Sequence, residues 1–166
     1  MNNLSFHITD ITANSIRANA SEIGLSVEEQ DTRIVIRITD NGSGMDAETA
    51  RRVTNPFYTT RTTRKVGLGL PFLIQNAEQT GGSVTLTSEP GKGTEVRAVF
   101  HSDHIDCPPW GDLPGTVALL ITGNPEINVC FEYRSGETGY SISTNEIKEI
   151  LDGVPLSHPK VMLLIK

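Results

Sequence analysis

Three stretches of this sequence gather residue types able to hold a small charged ligand. At 39–46, "TDNGSGMD", an apolar alternation through Ile34, Ile36 and Ile38 stops at Asp40. Gly42, Gly44 and Met45 follow. Such a stretch is either a tight turn or a carboxylate and bare backbone set beside a ligand. Asp10 and Asn14 stand four residues apart, so a helix carries both on one face. A carboxylate and an amide oxygen so placed can hold a magnesium ion or its water, or simply form a solvated polar stripe. At 55–70, "NPFYTTRTTRKVGLGL", the cations Arg61, Arg64 and Lys65 precede Gly67, Leu68 and Gly69. That is a loop able to neutralise an anion, or a solvated basic surface.

The elements that must position these residues follow from periodicity. Residues 5–20 carry Phe6, Ile8, Ile11 and Ile16 near helical spacing, with Ser5 a candidate N-cap. Ile23, Leu25 and Val27 alternate, "EEQDT" turns the chain, and "RIVIRIT" alternates again: an antiparallel hairpin. Asp46 is placed to cap a short helix over "AETARRV", and a further helix is expected from about Leu70 to Gln79, ending at Gly81-Gly82. "SVTLTS" and "TEVRAVF" flank "EPGKG", a second hairpin signal.

After Phe100 the composition changes. "HSDHIDCPPWGDLPG" reads as a linker, "TVALLIT" and "INVCFEY" as a hairpin across "GNPE", Thr144 as the cap of a helix over "NEIKEIL", and "VMLLI" as a strand. The expected division is therefore 1–100 and a small β-rich extension, 101–166. About 60 residues without disulfides or metal make a marginal independent core, so the extension is expected to pack on the first part or on a partner.

Composition narrows the function classes. The 166 residues are 37% apolar and 20% charged, as in a soluble globular protein. The net charge of −6 argues against sequence-independent nucleic-acid binding. No apolar run approaches the roughly 18 residues of a membrane span, and "MNNLSFHITD" lacks the pattern of a signal peptide. Cys107 and Cys130 have no metal or disulfide spacing and read as reduced thiols, so a cytoplasmic location is expected.

Common nucleotide and calcium motifs fail. "GKGT" at 91–94 has Leu86 where a P-loop needs Gly and Gly93 where it needs Ser or Thr. A calcium loop from Asp40 would place Met45 at its obligatory glycine and Arg51 at its terminal glutamate. "GLGL" lacks the third glycine of a dinucleotide fingerprint. "NGS" at 41–43 matches a glycosylation acceptor but reads as a chance match.

The order of the signals is more specific than any one of them. A helix with D-x-x-x-N-S precedes a strand ending D-N-G-S-G-M. Then come a Phe-containing loop, Gly-x-Gly-Leu at a helix start, and S-E-P-G-K-G-T in a hairpin. Over roughly residues 1–100 this resembles the GHKL superfamily. That superfamily comprises the ATP-binding domains of histidine kinases, DNA gyrase B, a heat-shock chaperone and mismatch-repair ATPases. "NPFYTTR", "GLGL" and "SEPGKGT" look most like the histidine-kinase branch. The resemblance implies a two-layer α/β sandwich of the Bergerat type, a mixed sheet with three helices on one face.

It also implies roles. Asp40 would accept from the adenine amino group, a way to prefer ATP to GTP, with Thr94 fixing the same edge. Gly42 and Gly44 would let the backbone pass the purine, and Met45 would pack on its ring. Asn14 would ligate Mg2+, the cofactor expected with ATP. Gly67, Leu68 and Gly69 would approach the phosphates, with Arg61, Arg64 and Lys65 as cations beside them. Asp10 stands where the family often has Glu or Asn, one methylene shorter than Glu, as the candidate catalytic base.

Histidine kinases carry their phosphoacceptor on a separate helical hairpin, whereas His7 falls on the nucleotide helix and reads as a structural or surface residue. His101, His104 and His158 lie in no motif. The expected activity is that of a stand-alone protein kinase or slow ATPase acting on a protein partner. An ATP-sensing interaction module is the alternative. Expected partners are ATP and a protein, with a homodimer also open.

Overall fold

The computed structural model describes residues 3–54 and 69–151. Helix α1 spans Leu4–Arg17, strands β1 and β2 span Glu22–Gln30 and Arg33–Asp40, and α2 spans Ala47–Thr54. Helix α3 spans Gly69–Gln79, and β3 and β4 span Ser83–Glu89 and Gly93–His101. Then come α4 at Leu113–Gly123, β5 at Asn128–Ser135, β6 at Thr138–Ser143 and α5 at Thr144–Leu151. The strands form one mixed sheet in the order β3-β4-β2-β1-β5-β6. Every neighbouring pair is antiparallel except β1 and β5, which run parallel.

Register explains which face is covered. Leu25, Ile38, Val96 and Leu86 lie in one row across four strands, and Val27, Ile36, Ala98 and Val84 in the next. Their face carries the core, against Leu4, Ile8 and Ile11 of α1, Leu73 and Ala77 of α3, Val117 and Ile121 of α4, and Ile147 of α5. Each fully buried Leu, Ile or Val among them contributes roughly 1.5–3 kcal/mol of hydrophobic stabilisation. The opposite rows carry Arg37 and Glu95, which pair at 3.0 Å, and other polar residues. Among the described residues four helices feed the core, one of them not expected from the sequence.

The extra helix is α4, and it corrects the expected strand over "TVALLIT". The β-branched run favours a strand, but Asp112 caps the segment by accepting from the Gly115 N–H at 3.0 Å, and Pro114 sits in the first turn. An apolar helix of this kind is stable once buried on several sides, here by α1 and β5. β5 pairs instead with β6 through a two-residue loop in which Gly136 has φ +61. Two caps also differ. Asn3, not Ser5, caps α1, accepting from the Phe6 N–H at 2.7 Å. The buried Thr144 accepts from Val129 N–H, and Ser143 accepts from Glu146 N–H at the start of α5. Asp46 does accept from the Thr49 N–H at 2.7 Å. The "VMLLI" strand expectation lies outside the described residues.

Residues 102–112 cross the start of α1. Its orphan Leu4 and Ser5 N–H groups donate to the carbonyls of Pro109 and Trp110, and the Ser5 hydroxyl also donates to Trp110. The Trp110 indole donates to Glu29 at 2.7 Å. Among the described residues no helix is long and apolar enough to cross a membrane.

His7 is 1% exposed, between the rings of Phe6, Phe72 and Phe100, with Nε2 2.7 Å from the Asn76 amide. Its Nδ1 has no hydrogen-bond partner. It is a core residue. Burial lowers its pKa from 6.5 to about 4. A base with a depressed folded pKa stabilises the fold fully above its unfolded pKa, and that stability drains as pH falls from 6.5 toward 4. We expect the protein to be about 1–2 kcal/mol less stable at pH 5.5 than at pH 8 through this group. Urea denaturation against pH should show that slope in the wild type and a flatter one in His7→Gln. A His7 ring titrating near 6.5 by NMR would contradict the assignment.

Candidate functional site

At the end of the covered sheet face the apolar rows give way to a polar one. Ser88 is opposite Thr94, Thr94 opposite Asp40, and Asp40 opposite Ile23. A cleft of about 240 Å³ opens over this row and is roofed by α1. It is lined by Ile11, Asn14, Ser15, Asp40, Met45 and Thr94, among others. Most of the lining is apolar, with a few convergent polar groups, the usual character of a small-molecule site.

The Asp40 carboxylate is held from two sides. Oδ2 accepts from the Ser15 hydroxyl at 2.6 Å, and Oδ1 from the Gly42 N–H at 2.9 Å. A carboxylate has about four acceptor positions, so two named bonds leave room for a ligand donor. Glycines bring the chains together here. Gly93 has φ +126, and a Cβ on it would lie 1.9 Å from the Asp40 carbonyl oxygen. Gly44 has φ +69, and its Cβ would lie 1.9 Å from the Glu89 carbonyl oxygen. The hairpin of β3 and β4 is thereby locked to the 41–45 loop, and the Gly91 N–H donates to Ser43 O at 2.7 Å. Ser88 completes the lock, its Oγ accepting from Met45 N–H and lying 2.8 Å from the Thr94 hydroxyl.

The site residues expected from sequence divide into three groups. Asn14, Asp40, Gly44, Met45 and Thr94 line one cleft, and Gly42 bonds to Asp40 beside it. Gly69 opens α3, whose next residue Leu70 also lines the cleft. Asp10 is half-buried one turn before Asn14 but is not among the lining residues. Burial pushes its carboxyl above the ordinary value, with the Arg17 guanidinium opposing. Arg61, Arg64, Lys65, Gly67 and Leu68 lie outside the described residues. Sequence reasoning missed Ser15 and Ser88 as site residues. Arg17 was missed too; it lines the cleft and donates to the Asn14 side-chain oxygen. Among the described residues no cluster of three or more His, Cys, Asp or Glu could hold a metal ion. A magnesium ion brought in with phosphates needs few protein ligands, and the single Asn14 oxygen at the cleft fits that need once Arg17 releases it.

The cleft is thus roofed by the first helix and floored by the polar end of a mixed sheet in an α/β fold. Residues 3–104 match the model of the histidine kinase-, DNA gyrase B-, and HSP90-like ATPase family, and the chain belongs to that family. It is similar to the sensor histidine kinase YxdK of Bacillus subtilis, 29% identical over 104 residues covering 58% of this chain and 32% of that protein. Sporulation kinase E of the same organism is 40% identical over 73 residues, 44% of this chain and 9% of that protein. The chain thus spans less than a third of either relative. In fold it resembles the N-terminal domain of a DNA repair protein, with a TM-score of 0.61 at 18% identity, covering 85% of this chain and 51% of that one. It also resembles the Aquifex aeolicus MutL ATPase domain complexed with ADP, with a TM-score of 0.53 at 16% identity, covering 92% and 70%. Those shares exceed the family match, so the likeness of fold runs into the residues beyond 104.

Proposed function

We propose that this chain binds Mg-ATP in the cleft and transfers its terminal phosphoryl group to a protein partner or, slowly, to water. The observation that supports this most is Asp40, a carboxylate anchored at both oxygens on the floor of a mostly apolar cleft. Asp40 accepts from the adenine amino group, and guanine, with a carbonyl there, would leave it unpaired. The Thr94 hydroxyl, 2.8 Å from Ser88 Oγ, helps fix the same edge of the base. Met45 packs on the base, beside Ile11 and Ile38. Asn14 holds magnesium, which neutralises phosphate charge when bound. The N-terminus of α3 favours the phosphates, with Arg61, Arg64 and Lys65 and the glycines 67 and 69 from the segment before it. Asp10 takes the proton of the attacking hydroxyl or water, a role its burial-raised carboxyl suits.

A second reading has one observation in its favour. Because Asp10 does not line the cleft, the chain would bind ATP without turning it over and present the result to a partner, with 101–166 as the surface. Incubation with γ-labelled ATP, with and without cell extract, separates these. A labelled protein supports the kinase, free label in its absence supports the ATPase, and binding with neither supports the sensor. Failure to bind ATP at all would overturn every version.

A further inference from the structure

We infer that Ser15 is a positioning residue for base selection, holding Asp40 in the state that admits only a ligand amine. The inference rests on the adenine reading of the cleft and adds a residue to it.

Ser15 is 2% exposed and lies on α1, while Asp40 ends β2, twenty-five residues on. Its hydroxyl therefore has little water to turn to, and its proton is committed to Asp40 Oδ2 at 2.6 Å, the length of a charge-assisted bond. The second anchor, the Gly42 N–H on Oδ1, comes from a different element. Two donors on two elements fix the carboxylate plane, so no rotamer freedom is lost when a base arrives. Gly42 alone would leave the plane free to turn about its one bond.

The same bond sets the polarity of the corner. With its proton on Asp40, the Ser15 oxygen can only accept toward the cleft. The corner between α1 and β2 then presents a carboxylate and a hydroxyl lone pair, and no donor from either. An exocyclic amine brings N–H groups to such a corner. A hydrogen at that position gains nothing from it, and a carbonyl oxygen is repelled. Ser15 thus selects the amine without needing to touch it.

The test is calorimetry with Mg-ATP and with the Mg complex of purine riboside triphosphate, which has hydrogen in place of the amine. Wild type is expected to favour ATP by at least roughly tenfold, one charged hydrogen bond. Ser15→Ala is expected to weaken ATP binding roughly 5- to 20-fold while leaving purine riboside triphosphate within about twofold, closing most of the gap. Ser15→Thr keeps the donor and is expected to retain the gap. Should Ser15→Ala not fold, Ser15→Cys, close in size and a weak donor, carries the same expectation. An equal loss for both nucleotides would make Ser15 merely structural, and an unchanged gap would remove its role. Either result overturns the inference and leaves the adenine reading standing. A wild type that binds the two nucleotides equally would overturn both.

Discussion

Asp10→Asn is expected to slow phosphoryl transfer roughly 10²–10⁴-fold, the range for losing a positioned base, with Mg-ATP affinity changed by no more than about twofold. Asn matches Asp in shape but cannot take up a proton. The Asp10 carboxyl is half-buried on the same helical face as Asn14, and burial raises its affinity for a proton. Asp10 stands one turn before Asn14 and next to Ile11, both of which line the cleft, without lining it itself. Affinity by calorimetry and turnover by phosphate release, measured on the same variant, assign the role. A parallel fall in both makes Asp10 an orienter of magnesium or its water. Turnover retained at the wild-type level would remove it from the chemistry.

The second large effect belongs to Asp40. Asp40→Asn is expected to weaken ATP by about 1.5–3 kcal/mol, roughly 10- to 150-fold, and to erase the preference over GTP. The Ser15 hydroxyl and the Gly42 N–H would compete for the single remaining oxygen, and the new NH2 would face the adenine amine donor to donor. Competitive displacement of a fluorescent ATP analogue by ATP and GTP reads both numbers. A wild type with equal affinity for ATP and GTP would contradict the role of Asp40.

Sequence made much of this molecule legible, for identifiable reasons. The N-terminal hairpin shows because Ile23, Leu25 and Val27 and then Ile34, Ile36 and Ile38 alternate cleanly, and alternation is what a one-sided sheet requires. Asp40, Gly42 and Gly44 show because a strand ending in a carboxylate and two glycines is a conspicuous break. Ser15 and Ser88 do not show. A single hydroxyl has no spacing signature, and each matters only through a partner that register or a helix–strand crossing brings near. "TVALLIT" misleads because its β-branched residues point to a strand, and the decisive cue is Asp112, three residues before the Gly115 N–H that it caps. His7 illustrates the limit in another way: its partner Asn76 is 69 residues away, on a helix whose packing no local pattern records.

The parallel joint between β1 and β5 has a practical consequence for anyone who would excise the family-matching portion. A fragment cut after residue 104 would strip β5 from β1, leaving a nine-residue strand with its outer backbone groups unpaired. It would also remove Pro109 and Trp110, the acceptors that quiet the first amides of the helix roofing the cleft. Open edges of that length recruit other chains. The recombinant fragment that looks cleanest by homology would thus be an aggregation template with a frayed roof, and boundaries for expression belong beyond β6.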